Sequence, residues 1–273
     1  MKLEIDSVTY HLNVSGDGFP FLLLHGFTGD STTWQPFFSE WGKHSQLIAP
    51  DIVGHGQSDS PADISRYDIQ HAASDLKLLL EQLGINQLDV LGYSMGGRLA
   101  LTFAIMFPMM VRNLILESAS PGLETEEERK ARRMKDAELA HFIKERGIEE
   151  FVSDWERIPL FQSMSNQPEE VRLQIRKQRL ENCPEGLANS LLGMGTGSQP
   201  SWWKYLKELT CPVLLLTGKQ DTKFCEIARS MQGVIPKSTW MIFHDSGHAI
   251  HVEEKEKFGT IVSDFLTKGG VSF

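Results

Sequence analysis

Short apolar runs alternate along the chain with stretches in which apolar residues recur at helical spacing. FPFLLLHGF (19–27), SQLIAPD (45–51), LDVLGYS (88–94), VRNLILES (111–118), PVLLLTG (212–218) and STWMIFHDSG (238–247) read as strands. Their near-continuous apolarity is that of strands covered on both faces. IQHAASDLKLLLEQLG (69–84) has a helical period and stops at Gly84, and MGGRLALTFAIMFP (95–108) stops at Pro108. EEKEKFGTIVSDFL (253–266) is a third helix of this kind. The alternation predicts an α/β fold, a mostly parallel central sheet flanked by helices on both faces.

One segment breaks the rhythm. From Gly122 to Tyr205 the pattern is charged and helical, with two or three amphipathic helices and no strand. That is far longer than a normal crossover of a dozen or so residues. The chain therefore divides into a sheet domain, 1–121 with 206–273, and a helical cap inserted over 122–205.

Composition narrows the partners. The chain has 273 residues and a formal charge of −9, which argues against nucleic acid or an anionic membrane surface. Acidic residues stand where a signal peptide would be apolar, and no apolar run approaches the roughly 20 residues that span a bilayer. Three cysteines, Cys183, Cys211 and Cys225, lack metal-type spacing and argue against a disulfide framework. A cytoplasmic protein acting on a small molecule is expected, with the oligomeric state open and a monomer compatible.

The chemistry is carried by Gly92-Tyr93-Ser94-Met95-Gly96, placed between a predicted strand and a predicted helix. That is the context of a nucleophile elbow, a turn so sharp that its neighbours must be small. A serine hydroxyl needs a histidine to take its proton, and the histidine needs an orienting carboxylate. Asp221 and His248 follow the last two strands, where sites of open α/β sheets are built. His251 and Asp245 are their nearest rivals. Met95, after the serine, offers one backbone N–H for an oxyanion hole, and Phe27, after HG at 25–26, offers the second. His55 reads as structural. Arg98 lies one turn beyond Ser94, at a helix start where a cation opposes the dipole, which makes sense if it meets an anion. Arg129, Arg132, Arg133 and Arg179 in the cap add planar guanidinium groups suited to several carboxylates.

HGF (25–27), GHGQSD (54–59), GYSMGG (92–97), Asp221 and Gly247-His248 resemble the α/β-hydrolase fold over essentially the whole chain. GYSMGGR (92–98), SPGLETEEERKARR (120–133), DWERIPLF (154–161), GTGSQPSWW (195–203), GKQDTKF (218–224) and SGHAIHVE (246–253) resemble a narrower family. It is the 2-succinyl-6-hydroxy-2,4-cyclohexadiene-1-carboxylate synthases of menaquinone biosynthesis. The resemblance implies a lyase that expels pyruvate, with the serine of a Ser94–His248–Asp221 triad acting as base. It also implies that Phe27 and Met95 stabilise an oxyanion. Tyr93, Arg98, Arg132, Trp155 and Arg179 would hold substrate carboxylates, with Lys223 as a further candidate and Arg129 or Arg133 able to replace Arg132. The alternative is a carboxylesterase or carbon–carbon bond hydrolase of the same fold. A dehalogenase would need Asp at position 94. No cofactor or metal is expected, because GDGFP and GMGTGSQP lack the strand–glycine–helix context of a dinucleotide site.

Overall fold

The structure is a computed structural model and describes residues 1–268. Its sheet has eight strands: β1 (Lys2–Ile5), β2 (Val8–Ser15), β3 (Phe19–Leu24), β4 (Ser45–Pro50), β5 (Leu88–Tyr93), β6 (Val111–Glu117), β7 (Val213–Gly218) and β8 (Ser238–Phe243). Their order is β1-β2-β4-β3-β5-β6-β7-β8. β3 to β8 run parallel, and β2 joins antiparallel to both β1 and β4.

The six predicted strands correspond to β3–β8. Most of them stop short of the predicted end because residues such as His25 and Ser94 turn away into loops. The β1–β2 hairpin was not among the predicted elements. Asp6 and Ser7 both take positive φ (45° and 64°), as a two-residue primed turn requires. Val8, Tyr10 and Leu12 are buried while Thr9, His11 and Asn13, alternating with them, are partly exposed, a strand buried on one face.

The helices are α1 (Phe38–Trp41), α2 (Ile69–Gln82), α3 (Met95–Met106), α4 (Glu126–Trp155), α5 (Glu169–Leu180), α6 (Pro184–Met194), α7 (Thr222–Gln232), α8 (Ile250–Glu253) and α9 (Lys255–Lys268). The predicted last helix, 253–266, corresponds to α9, and the short α8 precedes it. Successive strand residues point to opposite faces, so each strand feeds two cores. Leu22, Leu24, Val90 and Leu215 pack with Leu76 of α2 and Leu99 and Phe103 of α3. Phe21, Leu23, Leu91 and Leu214 pack on the other side with Trp34, Trp41 and Phe258.

Between β6 and β7 the chain runs through α4, α5 and α6 and their short connections. Thr125 opens α4 with a reciprocal capping box to Glu128. Gly147, at φ 79°, breaks α4 into two helices that the charge pattern alone does not separate. Ile143, Phe151 and Leu187 give the segment a small core of its own, against which Phe27 packs. Among the described residues no helix is long and apolar enough to cross a membrane.

Candidate active site

At the end of β5 the chain turns into α3 through Ser94, whose φ of 51° and ψ of −105° are strained for a residue with a side chain. Close approach enforces the glycines. A Cβ at Gly92 would overlap the Gly96 carbonyl oxygen, and one at Gly96 would overlap the Leu24 and His25 carbonyls. Ser94 N–H donates to Glu117 O at 2.9 Å, tying the turn to the end of β6.

Ser94 Oγ lies 2.9 Å from His248 Nε2, and His248 Nδ1 lies 2.6 Å from Asp221 Oδ2. A carboxylate only accepts, so Nδ1 carries the proton and Nε2 accepts from the serine hydroxyl. Asp221 is also the N-cap of α7, its other oxygen accepting Phe224 N–H at 3.3 Å, so a local helix signal fixes the acid. Phe224, Tyr93 and Phe161 ring the imidazole, with centroids 4.8, 5.4 and 6.0 Å away. The rivals have other engagements. His251 bonds Glu117 through Nδ1 at 2.9 Å, and Asp245 is exposed with its N–H on Glu254.

Phe27 and Met95 line the same cavity as Ser94 and His248. Met95 opens α3, where an N–H has no intrahelical partner. The loop bearing Phe27 is held by neutral imidazoles. His25 donates through Nδ1 to Gly26 O at 2.8 Å and accepts Ile52 N–H through Nε2 at 3.0 Å. Burial drives the His55 pKa down to about 3, and its Nδ1 donates to Val53 O at 3.2 Å.

The cavity measures about 580 Å³ or less in each of two adjoining chambers. The one holding Ser94 is about 520 Å³ and is also lined by Tyr93, Arg98, Arg132, Trp155 and Lys223. Arg98 Nη1 donates to Met194 O at 2.6 Å and to Gln199 Oε1 at 2.5 Å. Both acceptors are neutral, so no bonded carboxylate offsets its charge. Burial, with the like charge of Arg132 behind it, lowers the Arg98 pKa to about 10, which leaves a cation at neutral pH. Arg132 donates through Nε to Asp136 at 2.8 Å. Arg129 and Arg133 bond Glu126 instead and do not line the chamber. The Trp155 indole N–H is buried without an acceptor among the described residues. Lys223 is exposed at the cavity edge.

Arg179 stands in the neighbouring chamber of about 580 Å³, which shares Phe27, Tyr93 and Phe161 with the first. It pairs with Glu156 at 3.4 Å and lies 4.9 Å from the Phe161 ring centroid. Burial raises the Tyr93 pKa, which keeps the phenol between the chambers neutral. Sequence reasoning missed the Glu117–His251 pair and the acidic Glu124 and Glu128 on the Ser94 chamber. Among the described residues, Asp6, His71 and Asp75 form the one group with metal-ligand spacing. Arg66 already donates to His71 at 2.6 Å and to Asp75 at 2.9 Å, which does not suit a cation.

Residues 20–255 match the alpha/beta hydrolase fold family. The 2-succinyl-6-hydroxy-2,4-cyclohexadiene-1-carboxylate synthase of Photorhabdus laumondii is 32% identical over 89% of this chain and 84% of its own. A Bacillus subtilis (strain 168) protein that carries the same name provisionally is 48% identical over 89% of each chain. The structure of MenH from S. aureus aligns with a TM-score of 0.90 and 37% identity, covering 95% of this chain and 98% of its own. A thermophilic esterase from Thermogutta terrifontis, solved with malate bound, aligns at 0.84 with 28% identity over 97% and 95%. By sequence and by fold, the chain belongs to the 2-succinyl-6-hydroxy-2,4-cyclohexadiene-1-carboxylate synthase family of α/β-hydrolase-fold proteins.

Proposed function

We propose that this protein is a cytoplasmic lyase of menaquinone biosynthesis. It converts 2-succinyl-5-enolpyruvyl-6-hydroxy-3-cyclohexene-1-carboxylate into 2-succinyl-6-hydroxy-2,4-cyclohexadiene-1-carboxylate and pyruvate, without a cofactor or metal. One observation carries the reading. The Arg98 guanidinium, bonded only to neutral acceptors, lines the same chamber as Ser94 and His248, with Arg132 beside it. A neutral ester has no use for two such groups, whereas a polycarboxylate offers each a bidentate partner.

In this mechanism Ser94 Oγ removes a proton from a substrate carbon while His248 Nε2 takes the serine proton. Asp221 holds the resulting imidazolium. The electron pair left on ring C2 forms a double bond to C3, the existing C3–C4 double bond shifts to C4–C5, and the C5–oxygen bond to the enolpyruvyl group breaks. Pyruvate leaves as its enolate and is protonated to the keto acid, the imidazolium returning the proton. The amides of Phe27 and Met95 face the negative charge that develops meanwhile. Arg98, Arg132 and Trp155 anchor carboxylates beside Ser94. Tyr93 and Arg179 reach from the adjoining chamber, and Lys223 adds charge at the edge. The segment 122–205 acts as a cap over the sheet domain formed by 1–121 and 206–273.

A carboxylesterase would use the same Ser94–His248–Asp221 geometry, and the likeness to the Thermogutta esterase favours that second reading. Incubation with the enolpyruvyl precursor, with pyruvate followed by a coupled assay, separates them. Pyruvate release matching the new diene supports the lyase. No release above background, with turnover of a simple aryl ester, rejects it.

A further inference from the structure

We propose that Glu253 is a positioning residue for His248, holding the backbone N–H groups of both its neighbours, Gly247 and Ala249. Gly247 N–H donates to Glu253 Oε2 at 2.8 Å, and Ala249 N–H donates to Glu253 Oε1 at 3.2 Å. One carboxylate thus brackets the residue that faces Ser94. Residues 244–249 connect β8 to α8 without regular structure, and the backbone bonds that hold them use carbonyls, Ser246 O accepting Gln220 N–H and Ala249 O accepting Glu253 N–H, each at 3.0 Å. Backbone donors in such a loop need other acceptors, and a carboxylate gives the stronger, charge-assisted kind.

The flanks are held in the same way. Glu254 Oε1 accepts Ser246 Oγ–H at 2.7 Å, and Glu117 Oε1 accepts His251 N–H at 3.0 Å. Gly247 packs closely on Ser163, whose Oγ a Cβ there would overlap. Gln220 N–H donates to Ser246 O at 3.0 Å on one side and α8 caps on Ala249 O on the other, whereas Glu253 holds the N–H groups of both neighbours of His248 with one side chain. Its effect is therefore on the direction of the ring, which must keep Nδ1 on Asp221 and Nε2 on Ser94 together. A misplacement of about 1 Å at a reacting group can cost about a hundredfold in rate.

This inference rests on the Ser94–His248–Asp221 relay of the proposed function, but not on its substrate. The test uses Glu253→Ala and Glu253→Gln, the second keeping one oxygen acceptor. The far-downfield proton resonance of His248 Nδ1–H is recorded on the substrate-free enzyme. Glu253→Ala is expected to broaden that resonance and speed its exchange at least about tenfold, with Glu253→Gln intermediate. Pyruvate-releasing kcat is expected to fall about tenfold to a hundredfold, with KM within about threefold, as for a geometric defect. An unchanged resonance with kcat within about twofold would overturn the proposal, even if the melting temperature falls. A rise in KM alone would overturn it as well. Should Glu253→Ala not fold, Glu253→Gln decides: parent-like resonance and kcat reject the idea. The resonance needs no substrate, so failure of the lyase assignment leaves this test standing.

Discussion

The carboxyl ends of the strands and the helical segment between β6 and β7 contribute to the candidate site in different ways. At the strand ends, backbone contact fixes the groups. Ser94 is held by glycines that admit no Cβ, and Asp221 caps a helix while it orients His248. In the helical segment, charged side chains are placed by other side chains. Arg129 and Arg133 share Glu126, whose side chain is 58% exposed, and Arg132 leans on Asp136. Exposed pairs of the Glu126 kind are worth little and are screened by salt. On the proposed function, the chemistry is built into the backbone, while selection of the substrate rests on softer contacts.

The largest effect should follow from breaking the sheet side. Ser94→Ala is expected to lower kcat at least about a thousandfold with the fold intact, and Ser94→Ala with His248→Ala little further, because the groups act as a unit. Steady-state kinetics within tenfold of the parent would make Ser94 a bystander. On the helical side, Arg132→Ala should reduce kcat/KM for the precursor roughly tenfold or more, the worth of a charged hydrogen bond of about 1.5–3 kcal/mol. Arg129→Ala should stay within about twofold. The reverse ranking would mean that α4 presents another face to the substrate.

Acid should distinguish the two regions by stability. His55, in the sheet-side loops, has a folded pKa of about 3 against an ordinary 6.5. Between those values the unfolded chain takes up a proton that the folded one refuses, so stability is full above pH 6.5 and falls as the pH drops. Lowering the pH from 7 to 5 should cost about 2 kcal/mol through this group. Urea midpoints at the two pH values check this, and His55→Gln should flatten the difference. A parent with no acid sensitivity would contradict the burial argument. The smallest effect should come from chelation, which is expected to leave activity unchanged. Loss restored by a divalent ion would place a metal in the mechanism.

The sheet was legible because its strands are buried on both faces and read as apolar runs. The edge hairpin was equally readable in principle, since Val8, Tyr10 and Leu12 alternate after the Asp6–Ser7 turn. Ser94, Asp221 and His248 stand beside local signals: paired glycines, a helix cap and a strand end. The arginines of α4 do not. Arg129, Arg132 and Arg133 share one side of a helix at three- and four-residue spacing, and only the packing of α4 turns Arg132 toward Ser94. Glu117 lies 134 residues from His251, beyond any local pattern.

The central claim, that a hydrolase-like relay is made selective for an anion by guanidinium groups, is tested most directly at Arg98. The measurement is kcat/KM of parent and Arg98→Ala on the enolpyruvyl precursor and, in parallel, on a neutral aryl ester. The account predicts a loss of roughly tenfold to a hundredfold on the anion, with any ester activity nearly untouched and little recovery in Arg98→Lys. Equal losses on both substrates would contradict it, showing that Arg98 supports the turn around Ser94 rather than the substrate.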